Sequence, residues 1–112
     1  MGEQIFSYKN ENYLIVIGKD KRDNWDLLDA SSPTDIWFHV ADFPSSHVFL
    51  KTEEKMKDVP RAVIVRCACL CKSYSKSKAT PKCSIIYSCV IDVEKGKHVG
   101  EVLTKNVKTI SI

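Results

Sequence analysis

Two short runs near the middle of the chain, IWFHV (residues 36–40) and HVFLK (residues 47–51), are rich in aromatic and β-branched side chains. Side chains of that kind favour a pleated, half-buried surface, and the proline at position 44 marks a turn between the runs. The pair therefore dictates a sheet at the heart of the fold. Strand alternation sends Ile36, Phe38 and Val40 to one face of it, and Trp37 and His39 to the other. Each run carries a histidine, and the Asp-Phe-Pro-Ser-Ser turn between them is rich in hydroxyls. His39 and His47 could serve core packing, a metal or catalytic site, or the rim of a surface that reads an anion.

The flanking segments complete an α+β pattern. QIFSYKN (4–10) and NYLIVIG (12–18) read as a strand pair joined by a tight polar turn at residues 9–12. DKRDNWDLLDA (20–30) reads as a short helix with Asp20 as its N-cap, Asp23 three residues on, and Trp25 and Leu28 on one face. SSPTD is loop, and TEEKMKD is a polar excursion. Asp58 and Pro60 are expected to open the main helix, which runs to about Ser75. Val63, Cys67, Leu70, Cys71 and Tyr74 recur there at helical spacing, forming an apolar stripe that must face the sheet. Arg61, Arg66, Lys72, Ser73 and Lys76 gather on the opposite side, interrupted by Val65 and Cys69. After a KSKATPK loop, CSIIYSCVIDV, GEVLT and VKTISI read as three more strands. The expected fold is a largely antiparallel β-sheet with one main α-helix and one short helix, a single domain over residues 1–112.

A chain of 112 residues buries enough surface to fold without metal or disulfides. Its five cysteines are an odd number, three of them in CACLC, and MGEQ lacks a basic stretch followed by an apolar core. Reduced thiols and a cytoplasmic setting are expected, with the nucleus also open. Phe6 stands where an N-myristoylation signal calls for Ser or Thr, and the apolar runs are too short to span a bilayer, so no membrane partner is expected.

The net charge of +3 hides an asymmetry: residues 1–60 hold seven basic and eleven acidic side chains, and residues 61–112 hold ten and three. From Arg61 to Lys82 there are six basic residues and no acid. Such a segment attracts phosphates, or else simply forms a solvated face.

Three candidate sites compete. CACLC has the wrong spacing for a zinc hairpin, and on a helix Cys67 and Cys71 would point to the core while Cys69 points away. Buried reduced cysteine packs as a small apolar residue. Cys83 and Cys89, on one face of a regular strand, fit packing as well. His39, Asp42 and His47 could form a metal or acid–base constellation, which makes a small metal-dependent hydrolase one alternative. No nucleophile elbow, Walker loop, His-Glu-x-x-His or dinucleotide fingerprint accompanies it, so the chain is expected not to be an enzyme and to need no cofactor. The third reading makes Trp37 and His39 a stacking face beside lysines, with Ser45 and Ser46 supplying anion-binding donors. Its counterpart is a Trp37 simply buried against a helix.

GKDKRDNWDLL (18–28) followed by DIWFHVADFPSSHVFL (35–50) resembles the signature of the NFACT-R domain, the RNA-binding module of the NFACT proteins of ribosome-associated quality control. Gly18, Lys19, Asp20, Asn24, Asp26, Leu27, Asp35, Ile36, Trp37, Phe38, His39, His47 and Val48 fit the family pattern. CACLCKSYSK, IIYS and HVGEVLT…VKTISI follow in order, so the likeness covers nearly the whole chain. GKDK and DIWFHV are the wording of the stand-alone eukaryotic branch, the coiled-coil-domain-containing-protein-25-like proteins. That branch usually continues into a charged coiled-coil tail, and this chain stops at Ile112. Longer relatives often carry Pro-Gly-Ser-His where Pro44, Ser45, Ser46 and His47 stand here.

The resemblance implies a non-catalytic nucleic-acid-binding domain linked to translation. RNA is the first partner it suggests, transfer or ribosomal RNA among the candidates, with DNA left open. The proposed surface joins Lys19, Lys21 and Arg22 to Trp37, His39, Ser45, Ser46 and His47, and adds Lys72, Lys76 and Lys78 for phosphate neutralisation. The rival is a protein-interaction adaptor using the acidic first half and Phe43, with a partner in the translation machinery.

Overall fold

The computed structural model of the protein describes residues 2–76 and 78–112. The two central runs form β3 (Ile36–Val40) and β4 (Val48–Lys51), antiparallel, with Trp37 opposite Phe49. They lie inside a six-stranded sheet of order β1-β2-β4-β3-β5-β8. Its outer members are β1 (Gly2–Tyr8), β2 (Glu11–Ile17), β5 (Ser84–Cys89) and β8 (Lys108–Ser111), and every pairing is antiparallel. The expected tight turn joins β1 to β2: Lys9 and Asn10 both have positive φ, 47° and 66°. Two left-handed residues in succession match the right-handed twist of the flanking strands.

The sheet is covered on both faces. Ile36, Phe38 and Val40 belong to the core under α2 (Arg61–Ser73), together with Val63, Cys67, Leu70 and Cys71 of that helix. On the reverse face Trp37, Phe49 and Val16 form a second core with Leu28 of α1 (Lys21–Ala30), Val90 and Val93. The strand alternation is as expected, but the Trp37 face is not an open platform. It is closed by α1 and by a two-stranded ribbon, β6 (Val93–Lys95) with β7 (Val102–Thr104).

That ribbon corrects the reading of the third quarter of the chain. CSIIYSCVIDV is two strands in different sheets, separated by a 3-10 turn at Val90–Asp92. The Val90 N–H donates to the Asp35 carbonyl at 2.8 Å and the Ile91 N–H to the Pro33 carbonyl at 3.2 Å. These distant carbonyls draw the chain out of the main sheet, which local alternation could not reveal. Trp25 of α1, expected beside Leu28, is half-buried, and its Nε1 donates to the Glu101 carbonyl at 2.9 Å. It latches α1 to the ribbon.

The main helix, Arg61–Ser73, starts later and stops earlier than the pattern suggests. Asp58 lies in a 3-10 turn at Met56–Asp58, and Pro60 is the N-cap, its carbonyl accepting from the Val63 N–H at 3.0 Å. The helix ends at Ser73, leaving Tyr74 as the C-cap residue and 52% exposed, outside the apolar stripe. The basic side of the helix straddles the two sheet edges. Arg66 donates to Gln4 Oε1 at 3.2 Å and lies over the Phe6 ring, and Lys72 Nζ donates to the Ile112 carbonyl at 3.1 Å.

All five cysteines are free thiols; Cys67, Cys71 and Cys83 are buried in the α2 core. Burial pushes the Cys67 thiol up and the Cys71 thiol up to about 12, so both behave as packing groups. Among the described residues no three His, Cys, Asp or Glu side chains converge to hold a metal ion. Among the described residues no helix is long and apolar enough to cross a membrane. Ser77, within the expected loop after α2, lies outside the described residues.

Candidate nucleic-acid interface

Gly18 begins the site. Its N–H donates to the His47 carbonyl at 2.9 Å, tying the end of β2 to the start of β4. A Cβ at this position would sit 1.8 Å from Asn24 Oδ1, so only glycine lets α1 approach. That same Asn24 oxygen accepts the His47 N–H at 3.3 Å. The helix start is fixed reciprocally: Asp20 Oδ1 accepts the Asp23 N–H at 2.8 Å, and Asp23 Oδ2 accepts the Lys19 N–H at 2.9 Å. Lys19 and Lys21 are thereby held beside the β3–β4 turn.

Inside, Trp37 is 1% exposed and its Nε1 donates to His47 Nδ1 at 3.0 Å. An imidazole that accepts on Nδ1 is neutral and carries its proton on Nε2. His39 stacks on Trp37, with ring centroids 5.7 Å apart and planes at 9°, and meets His47 edge-on at 5.0 Å. Burial drives the His47 pKa down to about 3, with the neighbouring His39 acting in the same direction. Burial also lowers the His39 pKa, opposed by a hydrogen bond with the Val40 backbone. Both rings are neutral hydrogen-bonding groups near pH 7, and among the described residues no carboxylate hydrogen-bonds either of them. Asp42 is exposed and bonds to neither, so the constellation of His39, Asp42 and His47 is not assembled.

A pH dependence follows from this neutral pair. An unfolded chain with ordinary imidazoles takes up protons that folded His47 refuses, so stability falls as pH drops below 6.5 towards about 3. From pH 6 to pH 5 the expected loss from His47 is about 1 kcal/mol, with His39 adding in the same direction. Urea unfolding across this range checks it. His47→Gln, which keeps an acceptor but cannot titrate, should remove about that much of the slope; an unchanged slope would contradict the assignment.

The turn is tied to the end of α2. Ser45 Oγ accepts the Val40 N–H at 3.2 Å and donates to the Ser46 carbonyl at 3.1 Å; Ser45 pairs with Ser75, and Cys71 Sγ reaches the Ser46 carbonyl at 3.6 Å. This brings the residues after α2 alongside the start of α1. On the far side, Gly100 (φ 87°) approaches Lys21 so closely that a Cβ would lie 2.4 Å from that lysine's own. Together these segments enclose a cleft of about 720 Å³.

Eight of the anticipated residues line that cleft: Lys19, Lys21, His39, Ser45, Ser46, His47, Lys76 and Lys78. Three do not belong to it as expected. Arg22 points to Asp26, Nε to Oδ1 3.5 Å, one helical turn on. Lys72 is engaged by the C-terminal carbonyl. Trp37 is a buried orienting group for His47 and offers no face to a base. Asn24, Tyr74, Val99 and Gly100 also line the cleft. Asn24 stood in the family pattern without a site role, and Tyr74 was hidden by the helical period, although the polar run Lys72 to Lys76 around it was a signal. Among the described residues the four lysines of the cleft make no ion pair, and Asp20 is its only carboxylate lining. The cleft is therefore a positively charged, hydroxyl-rich recess able to hold an anionic chain by its phosphates.

Comparisons with known proteins bear on the family and the fold. The sequence matches the family described as NFACT protein RNA binding domain over residues 4–107. It is 44% identical to coiled-coil domain-containing protein 25 of Mus musculus over 71 residues, 62% of this chain and 34% of that protein. Protein JLP2 of Saccharomyces cerevisiae is 37% identical over 105 residues, 86% of this chain and 50% of that protein. The coiled-coil domain-containing protein 25 homolog of Dictyostelium discoideum is 31% identical over 110 residues, 94% of this chain and 53% of that one. The chain thus spans about a third to about half the length of these relatives.

Among solved structures, the C-terminal part of the fibronectin/fibrinogen-binding protein from Streptococcus suis has the same fold. It gives a TM-score of 0.85 over 98% of this chain and 44% of that one, at 24% identity. The residues that knit the cleft, Gly18, Asn24, Trp37 and His47, are among those that carry the sequence resemblance, and with the family match running over residues 4–107 the chain belongs to the NFACT RNA-binding domain family.

Proposed function

We propose that this chain binds RNA without catalysing a reaction on it, and that the strand enters the cleft between the start of α1, the β3–β4 turn and the residues after α2. The observation that carries the reading is the set of four lysines there, drawn from two distant segments and free of ion pairs among the described residues. Membership of a family described as RNA-binding supports the choice of polymer. Lysines contact phosphate without reading sequence, so affinity comes from charge, while His39, Ser45 and Ser46 supply directional hydrogen bonds. Transfer RNA and ribosomal RNA are the first classes to try, in keeping with a cytoplasmic role in translation or ribosome-associated quality control.

Binding of an unstructured RNA, measured by anisotropy at several salt concentrations, tests the reading. About four phosphate contacts at roughly 0.7 each predict that log affinity falls against log salt with a slope near −3. A slope near zero, or a stoichiometric protein partner that RNA cannot displace from the cleft, would overturn it.

A further inference from the structure

Resting on that RNA-binding reading, we infer that the cleft takes an unpaired nucleotide, whose base stacks on Tyr74 while its flanking phosphates meet the lysines. Aromatic faces are scarce on this surface. Trp37, Phe38, Phe49 and Tyr13 are buried, Phe6 lies under Arg66, Tyr87 stacks on Phe38, and Lys95 sits over Trp25. Among the described residues only Tyr74 and Phe43 are aromatic and more than half exposed, at 52% and 56%. Tyr74 lines the cleft, and Phe43 immediately precedes its lining residue Pro44.

The position of Tyr74 is fixed even though its ring is bare. Its N–H donates to the Leu70 carbonyl at 3.1 Å, and the next residue, Ser75, is bridged to Ser45. Among the described residues the ring stacks on no other ring and the hydroxyl has no partner. An unpartnered ring on a residue whose backbone is anchored, lining the cleft with Lys76, is a platform for a flat ligand. Lysines alone would hold duplex and single strand alike, but a ring can stack only on a base whose face has been exposed. Selectivity for unpaired RNA is thus assigned to one side chain, and charge to four others.

The experiment measures binding of a short unstructured oligoribonucleotide and of a short RNA duplex to the wild type, Tyr74→Ala and Tyr74→Phe. Tyr74→Ala should weaken the single strand by roughly 5- to 150-fold and leave the duplex and the salt slope unchanged. Tyr74→Phe should bind as the wild type does. Equal weakening of both ligands, or none, would overturn the stacking role while leaving the RNA reading intact. A wild type that binds neither ligand with a salt-dependent affinity would bring down the RNA reading itself. The side chain is exposed, so an unchanged thermal unfolding transition separates lost stacking from lost folding.

Discussion

Truncating Trp37 to alanine is expected to cost about 3–5 kcal/mol of stability, the range for deleting a large buried aromatic. Few small domains have more than two or three times that in hand. The side chain belongs to the second core, beside Phe49 on the neighbouring strand and in one cluster with Val16 and with Leu28 of α1. It also donates the hydrogen bond that orients His47. The two contributions separate experimentally. Trp37→Phe keeps most of the packing but leaves His47 Nδ1 buried without a donor, a loss of roughly 1–3 kcal/mol. Denaturant unfolding of both variants checks this, and a Trp37→Phe protein as stable as the wild type would show that the bond contributes nothing net.

Replacing Lys19, Lys21, Lys76 and Lys78 together by alanine should abolish most of the salt dependence of RNA binding and leave the fold unchanged. Across a fourfold rise in salt the wild type should lose about fifty-fold in affinity, at roughly 0.7 per single-strand contact, and the variant only a small part of that. None of the four side chains makes an ion pair among the described residues, and all are exposed, so their removal breaks little inside the protein. The matching control removes Lys57, Arg61 and Lys108, a separate basic group around a smaller recess under the start of α2. That variant should retain the full slope. Equal losses in the two variants would mean a diffuse electrostatic attraction with no defined cleft.

The parts of this fold governed by short-range rules could be read in advance. Strand alternation placed Ile36, Phe38 and Val40 on one face and Trp37 on the other because both faces are buried and the period is two. The helix start at Asp20 was visible because a capping box is local. Long-range hydrogen bonds were not visible. Nothing near Val90 announces that its N–H will seek the Asp35 carbonyl, so the split into β5 and β6, and with it the ribbon that seals Trp37, was missed.

The same limit applied to the cleft. Helical spacing set Lys72 beside Lys76, but only the folded chain shows that Lys72 is drawn to Ile112 while Lys76 faces the recess. It put Tyr74 in the core because the period continues on paper past the residue where the helix stops. Arg22 shares the first turn of α1 with Lys21, yet their side chains diverge around the axis, one to Asp26 and one to the cleft. The histidines kept their place at the recess but changed role. His47 buried and His39 half-buried, both neutral, they shape the wall and do not supply its charge.

The most direct test of the cleft as the RNA surface is a titration of isotope-labelled protein with unstructured RNA, following backbone amide chemical shifts. The expected changes cluster at Lys19, Lys21, Ser45, Ser46, Tyr74 and Lys76, which come from three separate stretches of sequence and meet only here. Changes confined to Lys57, Arg61 and Lys108, or spread evenly over every basic residue, would contradict it.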